Sequence, residues 1–414
     1  MINESIFSQN FSDEPYWWRA APPHRSPQSD LPERCDVVIV GSGFAGLCCA
    51  IELARAGMAV CVLDAREIGE GASTRAAGFL AGRAGVSKQI NLEKTVGRSL
   101  AADILCEADQ AFENFQTFIR DNEIDCDFEM NGRLVAANTP KGYEKLAKKM
   151  EEYNSDGRNR FEMVPRSEQR RYVNTDYYHG GMLIKDGATV HPAKYHAGLV
   201  RLCLSLGVRL IGNTRVTRVE DDSSMKRVYT DRGHIRSSRI MLGTGGYTDG
   251  LSPWHRRRVI PMSSTAMATE RLGRDTVTEL LPATAPVIDS KRVISYARPS
   301  PDGEHILFGG RARFTPVSAE RSVEILYDQM IEVFPQLKGV KILHAWSGFM
   351  AFTFDFLPKV GEKNGFHYAL ACNGGSGIIM MSWLGEKAAG NILGLTENKS
   401  AFEKLPFKTM PAYS

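Results

Sequence analysis

The chain has 414 residues, 43% of them hydrophobic and 24% charged, with a formal net charge of +3. Such a length favours two or three domains with a large core, and so even a charge balance argues against a nucleic-acid partner. The longest apolar runs, 35–40 and 378–384, fall far short of the roughly 20 residues a membrane span needs, so no membrane partner is expected either.

Residues 1–34 are polar and proline-rich, with Tyr16-Trp17-Trp18 as their only apolar anchor. They read as an arm lying across the body. They show neither the basic n-region nor the apolar h-region of a secretory signal, so a cytoplasmic location is expected. Next comes "CDVVIVGSGFAGLCCAIELARAGMAVCVLDAR" (35–66), which reads as strand, glycine turn, helix and strand. In that turn Gly41 permits a tight bend, Gly43 lets the backbone approach a pyrophosphate, and Gly46 allows helix and strand to pack closely. The helix opening at Phe44 and Ala45 turns free N–H groups toward the phosphates. Asp64, followed by Ala65 and Arg66, ends the second strand 18 residues after Gly46. There a carboxylate accepts from ribose hydroxyls, and it would repel the 2′-phosphate that Arg66 alone would suit. The signal specifies a dinucleotide and no more.

A second glycine-rich loop, "IGEGASTRAAGF" (68–79), has no use with a nicotinamide coenzyme. Its small residues Gly71, Ala72, Ser73, Ala76 and Gly78 would let a wide ring system lie against the backbone. Helical spacing follows over 97–121, a strand over 132–138 and an exposed helix over 140–154. From Gly181 a second alternation begins, in which Val216 lies on a strand able to pair with an adenine edge. A further strand enters Gly243-Thr244-Gly245-Gly246. Strand-like runs at 259–269, 291–300 and 305–314 follow, and a helix spans 317–334. Finally "HYALACNGGSGIIMM" (367–381) reads as strand, glycine turn and helix, with Gly375, Ser376, Gly377 and Ile378 at the helix start, where the dipole faces an anion. The fold class is therefore α/β: a discontinuous doubly wound dinucleotide domain (35–96, 181–255 and 340–414) plus an antiparallel-sheet, α+β substrate domain (97–180 and 256–339). The eight cysteines are scattered without a C-x-x-C, and His191 and His196 are five apart. Reduced core thiols and no metal site follow.

Taken in order, Gly41–Gly46, Asp64, "GEGAS" (69–73), "TVHPAKY" (189–195), "LGTGGYT" (242–248), "YARPSPDGEHILFGGR" (296–311), "FTFDFLPKVG" (352–361) and "NGGSG" (373–377) resemble the D-amino-acid oxidase superfamily of FAD flavoproteins. The chain looks most like the branch of glycine, sarcosine and γ-glutamylputrescine oxidases, over roughly residues 14–393. The resemblance implies FAD as cofactor and oxidation of a C–N bond: hydride leaves to the flavin, the imine hydrolyses, and O2 accepts the electrons. A small carboxylated amine is the implied partner, an N-substituted glycine such as sarcosine or iminodiacetate being favoured and a γ-glutamyl-polyamine the alternative. Arg298 is the expected carboxylate clamp, because its planar fork binds bidentately, and alternation puts Tyr296 on the same face. His344, Phe349 and Thr353 are weaker pocket candidates, with His344 the sole residue offered for a catalytic part.

Two departures from the family pattern stand out. Ser347-Gly348-Phe349 occupies the neighbourhood where covalent flavoproteins of the family place a cysteine, so FAD should be noncovalent. "HILFGGR" lacks the lysine that sarcosine oxidases use toward oxygen, leaving His305 or Arg311 as the positive charge. A dehydrogenase passing electrons to another carrier, oxidation of a hydroxy acid or a protein-bound amine, and a non-enzymatic partner subunit stay open. Oligomeric state is not encoded in any of these motifs.

Overall fold

The computed structural model describes residues 6–26, 30–86, 91–222, 224–291, 293–313, 319–371 and 377–409. Two large sheets carry them. In the first, parallel strands run in the order Arg209–Ile211, Val60–Leu63, Arg34–Val40, Gly233–Leu242 and Phe366–Leu370. The hairpin strands Val216–Asp222 and Met225–Thr230 extend it through Gly233–Leu242, and Lys359–Lys363 pairs with Phe366–Leu370. Parallel strands covered on both faces read as unbroken apolar runs, as "VVIV" and "VCVL" do. Val37, Val38, Ile39, Cys61, Val62 and Leu63 are all fully buried.

Helix Phe44–Arg55 covers one face of this sheet, flanked by Gly377–Leu393 and Pro192–Ser205. A Cβ on Gly385 would lie 2.3 Å from the Ala45 carbonyl oxygen, so the two helices cross in backbone contact. Strand order reverses between Arg34–Val40 and Gly233–Leu242, and the crevice beyond the carboxyl ends of such strands is where an open α/β sheet holds its ligand.

The second sheet has nine strands, ordered Phe7–Ser12, Ile342–Phe352, Ile260–Thr269, Ile306–Arg313, Ser295–Pro299, Val287–Asp289, Arg133–Ala136, Gly181–Ile184 and Phe161–Val164. It is mixed rather than purely antiparallel: the first pair and the Val287–Asp289/Arg133–Ala136 pair are parallel. Segment boundaries also move. Gly181–Ile184 and Ile342–Phe352, expected in the dinucleotide domain, pair here, and the arm itself supplies the edge strand Phe7–Ser12. Local patterning could not show this, since an apolar alternation does not name its partner strand.

Alternation divides the two faces of this sheet. Leu134, Ala136, Ala297 and Phe308 pack under helix Ala319–Val333 through Val323, Leu326 and Met330. Their neighbours Arg133, Val135 and Tyr296 face the other way, toward the first sheet. Elsewhere the expected helices over 97–121 and 140–154 appear as Arg98–Asp121 and Pro140–Tyr153, and the strand over 132–138 as Arg133–Ala136. Of the cysteines, Cys106 is exposed and Cys372 lies outside the described residues; the six others are buried free thiols. No helix of the described residues is long and apolar enough to cross a membrane, and they contain no metal-ligand cluster.

Beyond its edge strand, the arm inserts Trp17, which is fully buried, against His191 and Trp346. His191 is the N-cap of Pro192–Ser205, its Nδ1 accepting the Lys194 N–H at 3.1 Å. Burial lowers its pKa from 6.5 to about 4, so the folded protein keeps it neutral. A depressed histidine contributes its full stability above the unfolded value and loses it as pH falls toward the folded one. His191→Asn retains a capping acceptor without the titration. The stability advantage of wild type over this variant should therefore shrink by on the order of 2–3 kcal/mol between pH 6.5 and about pH 4, read by urea denaturation at the two pH values. An advantage that is constant with pH would refute the linkage.

Candidate active site

At the switch point the chain turns through Gly41 and Gly243. A Cβ on Gly46 would lie 2.0 Å from the Gly41 carbonyl oxygen, so glycine alone lets the helix seat on the turn. Gly46 packs beneath the site, while Gly41, Gly43, Phe44 and Ala45 form its wall. The Gly43 and Ala45 N–H groups donate to no other described residue, leaving open donors at the positive end of the helix dipole. Two neighbours brace this turn. Ser73 Oγ accepts the Phe44 N–H at 3.1 Å, and Asp64 accepts from Ser42 N and Oγ at 2.9 and 2.6 Å and from Arg66 N at 3.1 Å. His196, which the motif reading passed over, donates from Nε2 to the Ser42 carbonyl at 2.7 Å, and burial lowers its pKa.

From this groove a continuous cavity of about 1030 Å³ runs to the exposed face of the nine-stranded sheet. Asp64, Ala65, Arg66, Val216 and Gly245 line its first part. The small residues of the second loop, Gly71, Ala72, Ser73, Ala76 and Gly78, line its middle together with Gly377 and Ile378 at the start of the last helix. Gly375 and Ser376 lie outside the described residues. Tyr296 and Phe349 line the sheet end. The Tyr296 hydroxyl makes no hydrogen bond with another described residue, and burial raises its pKa, so it stays a protonated donor.

Three candidates fall outside the cavity. Arg298 is 4% exposed and donates to the carbonyls of Ala77, Gly78, Val190 and Pro299 at 3.1–3.3 Å, with Trp17 beneath its guanidinium at 5.4 Å. Its Nε and Nη1 are taken by these carbonyls and it does not line the cavity, so Arg298 ties the 76–78 loop to the strand and the expected substrate clamp has no support from its placement. His344 donates from Nδ1 to the Glu14 carbonyl at 3.0 Å and holds the arm. Thr353 Oγ1 binds both the N–H and the carbonyl of Leu357, closing the turn that pairs Asp355 with buried Lys359. His305 likewise donates from Nδ1 to the Thr269 carbonyl at 2.9 Å, away from the cavity, and the Arg311 side chain is outside the described residues.

Sequence reasoning also missed residues. Arg75 lines the cavity, donating to the Glu70 and Ser347 carbonyls at 3.1 Å each, while Trp18 stacks on its outer side and Trp346 donates to its carbonyl. Arg133 lines the inner end. Its only signal in the sequence is a cation at the head of an otherwise apolar strand.

A doubly wound sheet with a pyrophosphate cradle at its switch point, opening onto a second sheet, defines a dinucleotide-dependent oxidoreductase. The model of the FAD dependent oxidoreductase family, DAO, matches residues 36–390, and the chain belongs to that family. The gamma-glutamylputrescine oxidoreductase of Escherichia coli (strain K12) is 29% identical over 379 residues, covering 91% of this chain and 88% of its own. Among solved structures, glycine oxidase from Geobacillus kaustophilus superposes with a TM-score of 0.76 at 21% identity, covering 92% of this chain and all of its own. L-proline dehydrogenase from P. horikoshii gives 0.72 at 21% identity, over 91% and 96% of the two chains. At those identities the two structures speak for the fold alone. The cofactor is FAD. The free N–H groups of the first loop fit its pyrophosphate, and the small-residue second loop leaves room for its ring system. When bound, FAD supplies a two-electron acceptor.

Proposed function

We propose that this FAD-dependent oxidoreductase oxidises the C–N bond of a primary or secondary amine that carries a carboxylate, holding FAD noncovalently and passing the electrons to O2. The observation that carries the reading is the single cavity joining the dinucleotide groove to the sheet face where Tyr296 and Phe349 stand. It lets a substrate C–H approach the cofactor while remote groups are held by the sheet. Among the described residues no cysteine lines the cavity, in keeping with a noncovalent flavin. With Arg298 engaged by four carbonyls and outside the cavity, the preference for an N-substituted glycine loses the anchor expected for it.

The chain's own part is to orient and enclose. Tyr296 offers a hydroxyl into the cavity with the Phe79 ring edge-on at 5.0 Å, and apolar Met262, Met350 and Phe349 line the cavity elsewhere. Purified protein mixed anaerobically with a panel of amines and amino acids should lose its flavin absorbance with at least one carboxylated amine. Subsequent aeration should restore the absorbance and release one peroxide per flavin. A flavin that no member of the panel bleaches would defeat the proposal, and bleaching without reoxidation by O2 would replace the oxidase with a dehydrogenase.

A further inference from the structure

Arg133 stands at the head of strand Arg133–Ala136, at the end of the cavity far from the dinucleotide groove. It is 3% exposed, and among the described residues its guanidinium makes no hydrogen bond and no ion pair; its Nε is enclosed without a partner. A buried guanidinium carries five N–H donors, and leaving them unmet is costly unless a ligand meets them. Burial holds its pKa down to about 10, so it is still a cation at neutral pH.

Its surroundings do not neutralise it by contact. Asp186 acts on it through space, but the Asp186 carboxylate is engaged by Arg160 at 3.2 Å. Arg160 and Arg83 also share Asp109 and Asp156. That cluster of three carboxylates and three guanidiniums, Arg158 joining at Asp156, satisfies none of Arg133's donors. Lys149, with its ammonium over the Tyr153 ring, lines the same cavity, and Tyr153 acts on Arg133 through space. The Arg133 guanidinium, which no carboxylate of the described residues contacts, makes this end attractive to an anion.

We infer that Arg133 is the anchor for a carboxylate of the substrate, and that this carboxylate is remote from the oxidised carbon rather than attached to it. Sheet register sets the separation. Tyr296 pairs with Ile288 and Ile288 with Val135, so the two side chains are two strand spacings apart across the sheet. Arg133 then lies two residues further along the same face. With about 4.8 Å between strands and about 3.3 Å per residue, the Cα atoms of Tyr296 and Arg133 are roughly 12 Å apart. An extended amine with a terminal carboxylate spans that separation with its nitrogen end near Tyr296, whereas an α-carboxylate would need the two side chains to converge on it. This inference rests on the amine-oxidising reading above and specifies its substrate class.

The test uses the holoenzyme and a series of straight-chain ω-amino carboxylates of increasing methylene number, each beside its neutral primary amide, with anaerobic flavin reduction as readout. For wild type the efficiency of reduction should rise with chain length, and a long carboxylate should exceed its amide by on the order of 100-fold. Arg133→Gln should erase that preference while retaining FAD, and Arg133→Lys should restore part of it. Equal rates for carboxylate and amide in wild type, or a preference that survives Arg133→Gln, overturn the inference; if the variant does not fold, the wild-type comparison decides. If no amine reduces the flavin, the proposed function fails and Arg133 is still tested, by calorimetric titration with glutarate. Binding to wild type that weakens at least about tenfold in Arg133→Gln supports the anchor, whereas equal binding, or none to wild type, removes it.

Discussion

Arg298→Ala should unfold the cofactor site rather than merely weaken substrate binding. The guanidinium joins three segments that are distant in sequence: Ala77 and Gly78 in the second glycine loop, Val190 before helix Pro192–Ser205, and Pro299 on its own strand. Trp17 of the arm lies against the same group. Removing it takes the guanidinium from the buried Ala77 and Val190 carbonyls, while the Gly78 carbonyl keeps the Val190 N–H at 2.9 Å, and opens a void beside the loop that lines the cavity. Unmet buried carbonyls cost about 1–3 kcal/mol each. The variant should therefore be purified with little FAD and a melting temperature lowered by several degrees. Arg298→Lys should restore part of both properties, because its three-donor ammonium can meet the Ala77, Gly78 and Val190 carbonyls that now converge on the single Nη1, while the Nε bond to Pro299 is lost. Normal FAD content and melting temperature, with activity lost only on carboxylated substrates, would return Arg298 to the clamp role its strand position suggested.

Gly46→Ala should act at the other end of the cavity. The added Cβ would sit 2.0 Å from the Gly41 carbonyl oxygen and 3.2 Å from Ile39 Cγ2, against backbone that has no rotamer to yield. The helix Phe44–Arg55 must move away from the turn, and with it the Ala45 N–H and the positive end of the dipole. Overpacking of this order costs about 1–3 kcal/mol, a loss in FAD affinity on the order of tenfold to a hundredfold. Fluorescence titration of apoprotein with FAD measures it. Gly57→Ala is the control. That glycine follows the far end of the same helix, where an added Cβ would meet no atom within 4 Å, but its φ is +81°. Its substitution should strain the turn and lower stability slightly while leaving FAD affinity unchanged. Equal FAD affinity for Gly46→Ala and wild type would show that the helix start is not held where the packing requires.

The two substitutions divide along the line between what was legible and what was not. Gly46 declares itself locally: a tight turn, an apolar strand before it and an acid at the end of the next strand are features of adjacent residues. The same holds for Ser73 and Gly78, whose small size is visible in the loop, and for Tyr296, placed by simple alternation. Arg298 obeyed the alternation as well, yet its Nη1 is taken by the 76–78 loop more than 200 residues away, a partner that alternation cannot name. His344 and Thr353 failed for the same reason, since the arm and the Leu357 turn had already taken their hydrogen bonds. Arg133 offered no motif at all. Its importance comes from what is missing around it, and absence of a partner cannot be read from neighbours in sequence.

By itself, then, the sequence determined the dinucleotide-binding α/β unit, the order of the FAD motifs and the family, because backbone turns, helix starts and strand alternation are set by residues a few positions apart. Only the tertiary structure decided that the arm and residues 181–184 and 342–352 belong to the nine-stranded sheet. It also decided that Arg298 is satisfied by carbonyls and Arg133 is not. Those outcomes depend on which distant groups meet each charge after folding, and a buried cation is structural or functional according to whether the protein or a ligand supplies its acceptors.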